Sequence, residues 1–245
     1  MIKIISHRGD TSQFPENTLE AFVAAGEAGA DGIELDIHMT KDGALVVHHD
    51  YYLGNPDNGD GLIPELDLAY IKSLTIQNNL HVPTLVEVFA KLDNTLHYEL
   101  EVKAYTFEAL QVVLDLVYTH NLEKSIEFTS PHPYILSRLK QLDPSLVAGH
   151  FSMPQPLWMN DTLYRAQCIA HATTGNLDVL HCQASAINEI FVQQAHAAGL
   201  RVHSANCDSD EDLARAIAAG VDQLSTNALA AALKATGAKT QASHR

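Results

Sequence analysis

From its start to position 226 the chain alternates short β-like runs with amphipathic helical stretches, and it does so eight times. The β-like runs fall at 2–6, 32–37, 96–102, 125–129, 146–151, 177–182, 201–205 and 222–226. Helical periodicity marks 18–28, 84–92, 106–117, 133–141, 186–198, 210–219 and 228–235, while 154–171 carries no clear pattern. Such repetition implies a closed parallel (β/α)8 TIM barrel, with an open doubly wound sheet ranked second. The dinucleotide form of that second fold is weakened, because no GxGxxG run is present. A single domain over 1–245 is expected, ending in a polar, disordered tail at 236–245.

One run breaks the rhythm. Residues 44–49 follow the second strand after only Lys41-Asp42-Gly43, too few for a parallel crossover, so the run must return antiparallel. Asp-Gly is a two-residue hairpin signal that would pair Lys41 with Ala44. Counting down that register sets His49 opposite Asp36 and Tyr51 opposite Glu34. Residues 50–83 then form a long loop with one short helix near 68–74 and an acidic tip at 55–60. Together 44–83 read as a return strand and small insertion after strand two.

Composition narrows the function. A formal net charge of −15 argues against nucleic acid as a partner. No apolar run reaches bilayer-spanning length and no apolar leader opens the chain, so no stable membrane association is expected. Cys168, Cys182 and Cys207 are widely spaced with no CxxC pair, as in a reducing compartment, and the expected location is cytoplasmic.

Barrel enzymes work at the C-terminal ends of their strands. There the first strand ends in His7-Arg8-Gly9, the second carries Glu34 and Asp36 on one face, the return run brings His49, and the third carries Glu99, Glu101 and Lys103. Ionised groups at neighbouring inward positions are costly unless compensated. Carboxylates without thiolate favour a hard divalent cation, Mg²⁺ or Ca²⁺, with Mn²⁺ equally acceptable to such ligands. Glu34, Asp36 and Glu101 bring a formal charge of about −3, the ion +2, and Arg8 and Lys103 one each, roughly +1 in all, which a phosphodiester would neutralise. Histidine is the side chain suited to proton exchange near neutral pH, so His7 and His49 could serve as proton donor and acceptor. Cys182 and Cys207 read as core residues, His48 as structural, and the acidic run 208–212 as a helix start. Glu99 is either a supporting partner of the site or a salt-bridged barrel residue, and His150, His181 and His203 read first as packed polar residues.

These segments resemble the glycerophosphodiester phosphodiesterase family. His7-Arg8-Gly9 followed by Pro15-Glu16-Asn17-Thr18 is similar to the family's opening motif. Glu34-x-Asp36, then Thr40-x-Asp42-Gly43 and His49-Asp50, resemble its second, and residues 82–89 and 99–103 its third and fourth. Weaker similarity runs through 199–206 and 219–227. The resemblance implies a TIM barrel in which Glu34, Asp36 and Glu101 bind the metal, His7 and His49 exchange protons, and Arg8 and Lys103 contact the phosphate. The implied substrate is a small soluble glycerophosphodiester, giving sn-glycerol 3-phosphate and an alcohol. The chain departs from the pattern where Arg-Thr usually follows His-Asp, where His203-Ser204-Ala205-Asn206 replaces Trp-Thr-Val-Asn, and at Thr226-Asn227 in place of Thr-Asp. His203 is thus a candidate contact for the substrate glycerol. A related barrel phospholipase and an inactive phosphodiester-binding barrel are the competing readings.

Overall fold

The computed structural model describes residues 1–54 and 59–237. The acidic loop tip read at 55–60 and the tail read at 236–245 lie mostly outside the described residues. Strands β1 (Lys3–His7), β2 (Gly32–Met39), β6 (His97–Val102), β7 (Ile126–Thr129), β8 (Val147–Phe151), β9 (Val179–Gln183), β10 (Arg201–Ala205) and β11 (Gln223–Thr226) form a ring of parallel neighbours. β1 pairs with both β2 and β11, which closes the barrel. Between β1 and β2 runs helix α1 (Leu19–Ala28), and α3 (Leu85–Leu92) precedes β6. Helices α4 (Phe107–Thr119), α5 (Pro133–Leu142), α6 (Asp161–Thr174), α7 (Glu189–Ala197), α8 (Asp210–Ala219) and α9 (Leu229–Thr236) complete the alternation. The stretch 154–171, unreadable from sequence, gives way to α6 at Asn160, whose side chain caps the helix by accepting from the Leu163 N–H.

Alternation along each strand sorts its side chains between two environments. Ile33, Leu35 and Ile37 of β2 join Phe22, Val88, Phe89 and Leu100 in the main apolar core, each such side chain adding about 1.5–3 kcal/mol on burial. The intervening residues Glu34 and Asp36 line up with Glu99 and Glu101 of β6, carboxylate beside carboxylate. Helix starts are fixed by side chains: Thr18 caps α1, and Thr84 with Glu87 forms a capping box at α3.

The return strand β3 (Leu45–Val47) pairs antiparallel with β2 as expected, but one residue out of the expected register. Ile37 faces Val47 and Met39 faces Leu45. The cause is a three-residue turn. The Thr40 hydroxyl accepts from the Ala44 N–H and donates to Asp42, and Gly43 takes φ +84°, a conformation glycine adopts without strain. His48, not His49, follows the ladder, donating its N–H to the Asp36 carbonyl at 3.0 Å. The expected pairing of Glu34 with Tyr51 does not form: the Tyr51 hydroxyl instead donates to the Lys103 carbonyl.

Beyond β3 the chain makes a small hairpin, β4 (Tyr52–Leu53) with β5 (Gly61–Leu62), and the short helix α2 (Leu68–Ser73). Val46, Leu53, Ile63, Ile71, Leu74 and Val82 give this insertion its own apolar cluster. Among the described residues no helix is long and apolar enough to cross a membrane, and all three cysteines are free and buried.

Candidate active site

The turn after β1 is built around close packing. A Cβ on Gly9 would stand 2.7 Å from the Ala21 backbone of α1, and its φ is +88°, so only glycine fits. Arg8, immediately before it, also lies in the left-handed region at φ 59°, a sparsely populated state for a non-glycine residue. Its N–H donates to the Glu34 carboxylate at 3.2 Å. Its guanidinium spans Glu16 at 3.0 Å and Asp36 at 3.3 Å.

Asp36 is the centre of the cluster. It is fully buried, with Lys103 Nζ 3.1 Å from one oxygen and Asn17 Nδ2 donating to the other at 2.7 Å. Burial would raise its pKa, but Lys103 and Arg8 outweigh that and hold it below the ordinary aspartate value. Glu34 behaves oppositely: burial, then the charges of Asp36 and Glu101, push it well above the usual range. Glu101 rises for the same reasons, burial first and Asp36 next.

One oxygen from each of Glu34, Asp36 and Glu101 lies within 4.8 Å of the others. Glu34 Oε1 and Asp36 Oδ1 are buried without a hydrogen bond, although the Lys103 ammonium is close enough to the latter for an ion pair. Two buried carboxylate oxygens left without a hydrogen bond in a converging acidic trio fit a cation beside Lys103, and an all-oxygen donor set fits a hard divalent one.

His7 and His49 flank this cluster. His7 Nε2 is 3.8 Å from Glu34, while its Nδ1 meets Asn227 Oδ1 at 3.1 Å. Asp208 fixes the Asn227 amide by accepting from its Nδ2 at 2.9 Å, so the oxygen faces His7 and Nδ1 of His7 carries the proton. Burial, then the charge of Arg8, lowers the His7 pKa. His49 sits past the end of β3, its Nδ1 at 2.7 Å from Asp50. A cleft of about 680 Å³ opens alongside, lined by Glu16, Asn17, His49, Asp50 and Asn227. Asn17 and Asn227 join it directly to Asp36 and His7.

His203 was the candidate contact for the substrate glycerol. Its side chain is fully buried, stacked on His181 with ring centroids 4.1 Å apart. Glu99 points into the same interior cluster. The sequence reading missed Asn17, Asn227 and Asp208 as site residues. Asn17 lay inside the Pro-Glu-Asn-Thr run that was read only as a resemblance, and Asp208 inside an acidic run read only as a helix start.

A closed (β/α)8 barrel with carboxylates, two cations and two histidines gathered at the strand ends defines a class: barrel enzymes acting on phosphate esters. The model of the glycerophosphoryl diester phosphodiesterase family matches residues 7–231. A glycerophosphodiester phosphodiesterase of Caldanaerobacter subterraneus subsp. tengcongensis is 31% identical over 238 residues, covering 91% of this chain and 93% of its own. The structure of a glycerophosphodiester phosphodiesterase from Agrobacterium tumefaciens matches with TM-score 0.80 at 23% identity, over 95% of this chain and 99% of that one. An Oleispira antarctica phosphodiesterase, solved in complex with the product sn-glycerol-3-phosphate, matches with TM-score 0.83 at 23% identity, over 96% and 97%. The two structures bear on the fold alone. The chain belongs to the glycerophosphoryl diester phosphodiesterase family.

Proposed function

We propose that the chain hydrolyses small soluble glycerophosphodiesters to sn-glycerol 3-phosphate and an alcohol. Glu34, Asp36 and Glu101 hold a divalent cation, Mg²⁺, Ca²⁺ or Mn²⁺. The observation that carries this reading is the position of Asp36. One buried carboxylate lies within 3.3 Å of both Arg8 and Lys103 and belongs to the acidic trio. Cations and carboxylates so interleaved suit an anionic ester bound across them. The product named for the Oleispira phosphodiesterase is what this reaction releases.

The cation, when bound, supplies Lewis-acid stabilisation of charge on the phosphoryl oxygens. Arg8 and Lys103 neutralise the remaining phosphate charge and orient the ester. His7 has Nδ1–H committed to Asn227, which leaves Nε2 as the nitrogen that takes or gives a proton. The Nδ1 of His49 is committed to Asp50, so its Nε2 is the free one. One histidine removes a proton from the attacking hydroxyl and the other delivers one to the departing alcohol. Cytoplasmic action accords with three free, buried thiols.

The test is release of sn-glycerol 3-phosphate from a panel of glycerophosphodiesters, with and without EDTA, alongside His49→Ala. Release abolished by both treatments is expected. No release from any substrate by a chain shown to bind metal would refute the reading and favour another phosphodiester or an inactive binding barrel.

A further inference from the structure

The stretch that carries His49 lies between β3 and β4 and joins neither strand, so something other than sheet pairing must hold it. Three bonds tie it down. His48 donates its N–H to the Asp36 carbonyl at 3.0 Å, His38 Nε2 reaches the His49 carbonyl at 3.3 Å, and the Tyr51 hydroxyl donates to the Lys103 carbonyl at 2.8 Å. The first continues the sheet edge. The other two come from side chains, and neither His38 nor Tyr51 is among the residues assigned to the reaction.

His38 is the next residue beyond Asp36 on the same face of β2, and it is fully buried. A carbonyl only accepts, so Nε2 carries the ring proton. Nδ1 is then the lone-pair nitrogen, and it is buried with no hydrogen-bond partner. An unmet buried acceptor costs free energy that an apolar side chain in the same place would not. What the imidazole supplies in return is one N–H aimed at the His49 main chain.

Tyr51 completes the arrangement. Its ring meets the His38 ring edge-on, with centroids 4.6 Å apart at 75°. Its single hydroxyl hydrogen goes to the Lys103 carbonyl, so His132 Nε2, 3.0 Å away, donates to the Tyr51 oxygen. His132 is anchored in turn: its N–H donates to Ser130 Oγ at 3.1 Å, and that hydroxyl donates to the Val102 carbonyl at 2.7 Å. One pair of packed rings thus bonds the main chain of a proton-exchanging histidine at one end and of a phosphate-contacting lysine at the other.

We propose that His38 and Tyr51 are positioning residues, which act through the His49 and Lys103 carbonyls to hold the imidazole in a fixed relation to the ammonium. The inference rests on the reaction proposed above. A displacement of about 1 Å at a reacting group costs about 10²-fold in rate, so such a brace governs turnover, while neither residue supplies a ligand to the cation.

The test follows release of sn-glycerol 3-phosphate at saturating Mn²⁺ by His38→Ala, His38→Gln and Tyr51→Phe, each also placed in a background lacking the group it holds. His38→Ala should lower kcat about 10²-fold, with KM changed by less than about threefold. His38→Gln, whose amide nitrogen can take the place of Nε2, should recover most of that loss. In His49→Ala the further change His38→Ala should cost less than about twofold, because the carbonyl it holds no longer carries an imidazole into the site. Calorimetric titration should find cation affinity unchanged in His38→Ala. Should His38→Ala not fold, Tyr51→Phe carries the same comparison, with about a tenfold loss in kcat/KM in the native chain and none further in Lys103→Ala. Equal losses with and without His49 or Lys103, or native rates in His38→Ala and Tyr51→Phe, overturn this inference and leave the reaction standing. A native chain that binds cation and releases no product overturns the reaction, and this inference with it.

Discussion

Replacing Glu34 with Gln is expected to stabilise the metal-free chain while abolishing the stabilisation that a divalent cation confers. The ligand oxygens of Glu34, Asp36 and Glu101 lie within 4.8 Å of one another. Unit charges at that distance repel by about 3.5 kcal/mol at an effective dielectric of about 20. Arg8 offsets part of this, but not all, because the Glu34 carboxyl is still held well above its ordinary pKa by burial and by Asp36 and Glu101. The sign follows from proton linkage. Above the unfolded pKa of glutamate the folded chain binds more protons at this site than the unfolded chain does, so stability falls as pH rises through the window. Gln does not titrate, and its amide oxygen can still accept from the Arg8 N–H. A net gain of about 1–3 kcal/mol is expected in EDTA at about pH 8, or roughly 2–10 °C in Tm for a chain of this size. The native chain should gain about 2.7 kcal/mol from cation at a hundred times its Kd, and the variant essentially none. Scanning calorimetry of both proteins, with EDTA and with excess Mn²⁺, makes the comparison. A variant that is less stable than the native chain in EDTA, and that gains as much from Mn²⁺, would show Glu34 to be a packing residue and refute the reasoning.

Three other outcomes follow from the same geometry. His49→Ala should lower kcat/KM for product release by about 10²–10⁴-fold, while calorimetric titration shows cation affinity little changed. In the native sequence the gain in Tm on adding cation should grow between about pH 5 and pH 8, because Glu34 and Glu101, both raised, must release protons to bind it; a gain independent of pH in thermal scans would contradict the assignment. Gly9→Ala forces a Cβ to within 2.7 Å of Ala21 at φ +88° and should cost about 2–5 kcal/mol from strain and overpacking together, read by denaturant unfolding, with activity falling as Arg8 is displaced.

The periodicity of apolar residues carries the barrel, since β2 must bury Ile33, Leu35 and Ile37 on one face and so commits Glu34 and Asp36 to the other. The same alternation makes the carboxylate trio and Lys103 legible without coordinates. The register of β3 was not legible, because it turns on one hydroxyl: Thr40 bonding Ala44 lengthens the turn by a residue and slides His49 off the ladder. Nor could spacing reveal that Asn17 reaches Asp36, or that Asp208 braces Asn227 against His7 across 220 positions of sequence. Those contacts exist only once the ring closes. The depth of His203 was hidden for a related reason: strand position shows that a side chain points inward, but not how deep in the barrel it stops.

The order in which the staves join has a consequence for synthesis. Glu34, Asp36, Glu101 and Lys103 all emerge within the first 103 residues, and β2 and β6 are direct neighbours. A growing chain can therefore assemble its acidic cluster early, since domains begin folding from the N-terminal side during translation. His7 cannot follow. Its partner Asn227 and the strand β11 that flanks β1 are among the last parts made. The Asn227 bond that orients His7 is thus withheld until the final stave docks, and a stalled or truncated translation product would carry the acidic cluster and His49 with His7 still unset.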